Sequence, residues 1–160
     1  MGVSSCINPP DFSDVPKIEF VGMSKDTILQ GVFQQDSLFV LFKFEDGDGD
    51  LGRSANAEEN NVFFIDTRTG ELDNSFGIPF IPQLGSSNGI EGEVQILLFS
   101  TCCLFESGQD PCTASSIEPY DFLQYEIYIV DRAGNESNHI TTDTITLVCN
   151  WLRIDINQPM

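Results

Sequence analysis

Four acids fall within six positions, Glu45, Asp46, Asp48 and Asp50, with Gly47 and Gly49 between them. Carboxylates this close repel one another unless one takes up a proton or the group shares a cation. The glycines let the backbone double back so that side chains and carbonyl oxygens converge. Hard oxygen ligands on a flexible acidic loop suit calcium. A solvated acidic turn with no ion is the simpler alternative, because Asp-Gly pairs commonly make turns. The loop is not an EF-hand. Counted from Asp46, Leu51 stands where that motif needs glycine, and Ala57 where it needs glutamate. Counted from Asp48, Glu59 falls in place, but Gly52 replaces a ligand and Arg53 replaces the glycine.

Other chemistry is poorly served. The single histidine, His139, sits where a strand begins and reads as a surface residue rather than a general base. No GxSxG nucleophile motif occurs. A pair such as Asp66 and Glu71 is what glycoside cleavage would use, yet a chain with 25 acids offers many such pairs. We therefore expect no enzyme. The five cysteines (Cys6, Cys102, Cys103, Cys112, Cys149) include no CxxC pair with a histidine partner, so zinc is not indicated. Disulfides in an oxidising compartment explain them better. Adjacent Cys102 and Cys103 make a strained ring if bonded together. Cys112 is expected to join one of them and Cys149 the other, with the choice open. Cys6 is the odd one. It follows Val3, Ser4 and Ser5, small residues like those ending a bacterial lipoprotein signal, and it is the candidate lipidation site; a free or disulfide-bonded cysteine is the alternative.

These groups need elements to hold them. Residues 1–16, with Pro9, Pro10 and Pro16, read as an N-terminal tether. Strands are expected at 17–22, at 38–44 running into the acidic loop, and from 61 into a Thr-Gly turn near 70. Further strands are expected at 92–100, 123–131 and 139–149, the last with Thr142, Thr144 and Thr146 outward. Residues 72–92, rich in Gly, Pro, Ser and Asn, promise at most a short irregular strand. The segment near Pro119 has room for one helical turn. Residues 151–160 form a C-terminal tail containing Trp151. About seven strands in one 17–150 domain point to an all-β, antiparallel, immunoglobulin-like β-sandwich. In that topology alternate loops share a pole, which brings Asp46, Asp48 and Asp50 to Asp131 and Asn135, with Asp11 and Asp14 in reach. The metal set is then Asp46, Asp48, Asp50, Asp131 and Asn135. The four paired cysteines collect at the opposite pole.

With 160 residues, 41% of them hydrophobic and 13 phenylalanines, the chain suffices for one core. Its net charge of −18 argues against nucleic acid and against docking on anionic lipid. No stretch reaches the roughly 18 apolar residues of a membrane span. The N-terminus lacks a basic region followed by an apolar one, so the expectation is either a cytosolic protein or a processed chain.

Together, FEDGDGDLG and YEIYIVDRAGNESN resemble exported lipoproteins of Bacteroidota bacteria, in which a strand ending in DGDGDxG precedes a DRAGNxSN turn and a last strand like ITTDTITL. The resemblance covers residues 17–148. It implies an immunoglobulin-like fold in a lipid-anchored protein of the outer membrane or cell surface, and implies no activity. The cysteine-rich loop and the missing signal depart from the pattern. The expected function is a calcium-stabilised, non-enzymatic cell-envelope domain, a binding module or accessory subunit of an outer-membrane assembly. The alternatives are a surface carbohydrate-binding protein, using Phe39, Tyr128 or Trp151, and a structural spacer.

Overall fold

The computed structural model describes residues 12–31, 35–53, 59–82 and 89–150. Within them the protein is all-β: β1 (Lys17–Met23), β2 (Thr27–Leu29), β3 (Ser37–Asp46), β4 (Val62–Asp66), β5 (Glu71–Phe76), β6 (Ile90–Phe99), β7 (Tyr120–Leu123), β8 (Tyr125–Ile129), β9 (Ile140–Thr141) and β10 (Ile145–Val148). They form three sheets, ordered β1-β3-β6, β2-β10-β7 and β5-β4-β8-β9. Every pairing is antiparallel except β2 with β10. Only Gln124 separates β7 from β8, so one extended run of chain serves two sheets.

The strongest strand is β3, because its alternation matches the pleat. Leu38, Val40, Phe42 and Phe44 are buried while Phe39 and Lys43 face out. It is paired along its full length with β6, from Ser37 opposite Phe99 to Asp46 opposite Ile90. Opposite the β3 face, Phe64 of β4 and Tyr125 of β8 meet edge-to-face at 5.7 Å in the shared core. Replacing a fully buried aromatic such as Phe42 with alanine costs about 3–5 kcal/mol in cores of this kind.

Three local expectations change. The polar connection after β1 contains β2, which crosses to pair in parallel with β10. As expected for that stretch, residues 71–76 form a short strand, a hairpin arm on β4 whose register shifts between Phe64 and Ile65. As an exposed edge, β5 has no buried face to impose apolar alternation, and Gly70 in a left-handed conformation (φ 73°) turns the chain into it. The segment before β7 contains no helix. Thr142 points inward and is 2% exposed, because its hydroxyl accepts the Tyr125 N–H at 3.0 Å where the last strand breaks between β9 and β10.

Candidate metal centre

The end of β3 carries the acids out of the sheet at one pole of the molecule. Asp46 is the last strand residue, so its inward alternation continues and its side chain is 0% exposed. Its Oδ2 accepts the Leu51 N–H at 2.7 Å, curling residues 46–51 into a closed loop. Asp48 Oδ1 accepts the Asp50 N–H at 3.2 Å within that loop. Gly49 takes a left-handed conformation (φ 68°) at the tip. Gly47 is required for another reason. The N-terminal lead-in crosses over it, with Gly47 N–H donating to the Ser13 carbonyl at 2.7 Å, and a Cβ there would lie 2.3 Å from the Phe12 carbonyl oxygen.

One carboxylate oxygen from each of Asp46, Asp48 and Asp50 lies within 4.8 Å of the other two. Asp46 Oδ1 and Asp50 Oδ1 are both buried without a hydrogen-bond partner. Such atoms are costly to leave unsatisfied. Burial, aided by Asp48, Asp50 and Asp131 and opposed by the Leu51 N–H, pushes the Asp46 carboxyl up to about 6. Asp50 is raised as well, by burial and then by Asp131 and Asp48, against the pull of the Arg132 N–H and guanidinium. Three converging carboxylates with two orphaned oxygens suit a hard divalent cation.

Asp131 and Asn135 reach the same pole from the end of β8. Asp131 stands outside the trio but close enough to act electrostatically on Asp46 and Asp50. Its carboxylate is engaged by Asn135, whose backbone N–H donates to Oδ1 at 2.7 Å and whose Nδ2 donates to Oδ2 at 2.8 Å. Asn135 is thus joined to the centre through Asp131. Asp14 is exposed beside the lead-in, while Asp11, Cys6 and Trp151 lie outside the described residues.

At the far pole, Cys102 is bonded to Cys112 and Cys103 to Cys149, with Cα atoms 4.6 and 6.0 Å apart. Sequence reasoning missed the charged knot beside them. Arg68 pairs with Asp66 and Asp121, both at 2.6 Å, and donates to the Cys102 carbonyl at 3.2 Å. Asp66 is therefore held by a guanidinium. His139 is a surface residue, its two ring nitrogens 2.7 and 2.9 Å from Glu126 and Glu136 and its ring stacked on Tyr128 at 4.8 Å. Arg132, embedded in the DRAGN turn, was also passed over, although its position in that motif already linked it to the acidic pole. No protein-family model, curated protein or solved structure matches this chain.

Proposed function

We propose that the protein is a non-enzymatic, calcium-stabilised β-sandwich domain of an exported, cell-envelope protein, acting as a binding module or accessory subunit of a larger assembly. One observation carries the metal: the fully buried Asp46 carboxylate keeps an unpartnered oxygen facing Asp48 and Asp50. Asp46, Asp48 and Asp50 would hold the ion, and loop carbonyls and solvent would complete the six to eight oxygens calcium takes. The ion would offset two of the trio's three negative charges and tie β3 to the loop that follows it.

Export is supported by two disulfides, which persist in oxidising compartments. The lipoprotein resemblance agrees, and Cys6 is the proposed attachment point for an outer-membrane or cell-surface anchor. The lead-in at Phe12 and Ser13 leaves the domain directly over the calcium loop, which would put the anchored side at that pole. The parallel β2–β10 pair, with β1 and β2 at the edges of different sheets, supports the immunoglobulin-like reading. A surface carbohydrate-binding role is the second reading, favoured by the stacked rings of Phe63, Tyr128 and His139 on the outer face of β4, β8 and the loop before β9.

Thermal melting with chelator and with millimolar calcium tests the metal. Saturation a hundredfold above the dissociation constant adds about 2.7 kcal/mol, or roughly 5–10 °C for a domain of this size. A melt that ignores both additions would remove calcium from the account.

A further inference from the structure

Strand β6 has a partner on one flank only. Among the described residues it pairs with β3 alone, ten residues in register without a bulge. The Ser100 N–H donates to the Asp36 carbonyl at 2.9 Å, which sets the phase of that ladder. Antiparallel pairs alternate between bonded and open, so the even-numbered residues of β6 face β3. Glu91, Glu93, Gln95, Leu97 and Phe99 therefore turn their N–H and C=O groups outward, and among the described residues none meets them. The other sheet edges are blunted. On β1, Asn138 accepts the Ile18 N–H at 2.8 Å and donates to the Ile18 carbonyl at 2.9 Å. On β7, Asp121 accepts the Phe122 N–H at 2.7 Å. An extra residue, Asp73, bulges β5 between the partners of Phe64 and Ile65. Strands β2 and β9 are only three and two residues long. Proteins blunt edges by such devices because an open edge recruits strands.

We propose that the free edge of β6 binds, by strand addition, an extended segment of another polypeptide in which apolar residues alternate with basic ones. The inference rests on the binding-module reading, for which it names the partner, and needs no metal. In strand addition the main chain supplies affinity and alternate side chains supply specificity. On the inner face Ile90, Val94 and Ile96 are only partly buried, and apolar residues of an added strand would cover them. On the outer face the same strand would meet Glu91 and Glu93. Glu91 stands opposite Glu45, and Glu93 opposite Lys43, whose exposed ammonium is 4.0 Å away. Lys17 and Glu19 of β1 complete that end of the face, which sums to four acids against two lysines. Such a surface favours cations on the incoming strand. A second copy of this chain, with its own net charge of −18, meets repulsion instead.

The test is amide hydrogen exchange, read by NMR on the full chain, alone and with a synthetic peptide of β6's length alternating lysine and valine. A glutamate–valine peptide is the counterpart. In the free protein the amides of Glu91, Glu93, Gln95, Leu97 and Phe99 should exchange about a hundredfold faster than those of Gly92, Val94 and Ile96. The lysine peptide should slow those five amides and bind about tenfold or more tighter than the glutamate peptide. Glu91→Lys combined with Glu93→Lys should reverse that preference. Gln95→Pro removes one outward donor, at a position where an edge strand tolerates proline. That variant should lose the peptide while its even-numbered β6 amides stay protected. Protection of the five amides in the free monomer would show that the chain covers its own edge, and would overturn the proposal. Protection that grows with protein concentration would assign the edge to a second copy and overturn it too. So would equal binding of the two peptides, or binding of neither. A protein that melts higher in calcium but binds neither peptide loses this edge and keeps its metal. One that ignores calcium and binds the lysine peptide keeps the edge without the metal.

Discussion

The two ends of this sandwich are held by opposite means. At one end, Cys102–Cys112 and Cys103–Cys149 close covalently, and Arg68 ties the β4–β5 turn to the cysteine loop through Asp66 and Asp121. Every charge in that knot has a partner. At the other end, the acids of one loop face one another, Asp131 adds to their field, and two buried oxygens have no partner. The first end is complete as it stands. The second keeps two buried oxygens unsatisfied, which the proposed calcium would engage. A domain made rigid at one pole can leave the other adjustable without losing its register.

Separating Cys103 from Cys149 with a double serine substitution should have the largest effect. The bond spans 46 residues, and loop entropy of that size corresponds to about 4 kcal/mol of stability, read by denaturant unfolding. Removing Cys102–Cys112, which spans 10 residues, should cost about 2–3 kcal/mol. Equal losses would mean that the cross-links act by something other than constraining the unfolded chain. Next comes Arg68→Ala. Its side chain is 12% exposed, and its removal strands Asp66 and Asp121, so a loss of about 3 kcal/mol is expected. A neutral result would show that the covalent links alone hold this pole.

At the acidic pole the sign of the pH dependence separates the metal-free and calcium-loaded protein. Asp46 is raised from its ordinary 3.8 to about 6, so in the metal-free protein the unfolded chain loses that proton first. Its contribution to stability is full below pH 4, declines as pH rises through 6 and is gone above. The total is on the order of 2–3 kcal/mol. Asp50 shifts in the same direction. Calcium should reverse the slope, because binding requires deprotonated carboxylates. Urea midpoints measured from pH 4 to 8, with and without calcium, check this; parallel curves would contradict it. Asp46→Asn should flatten both curves. The smallest expected change is Gly49→Ala, which strains a left-handed position by about 1 kcal/mol in a melt.

What local chemistry can express was readable along the chain. The alternation of β3 placed its core residues, the DGDGD run marked a cluster of carboxylates, and the strained vicinal ring argued against a Cys102–Cys103 bond. Each depends on residues adjacent in sequence, where spacing and sterics act directly. The parallel docking of β2 on β10, the burial of Thr142 and the closure of Arg68 on two distant acids depend on which surfaces meet. A short polar segment carries no periodicity to announce such a partner. Likewise, the expected sandwich topology placed Asp131 near the acidic loop, but packing decided that its carboxylate is held by Asn135. Packing also left Asp46 with a buried, unpaired oxygen. Burial and the direction of a lone pair are properties of neighbours brought together by the fold, and they turn a run of acids into a candidate site.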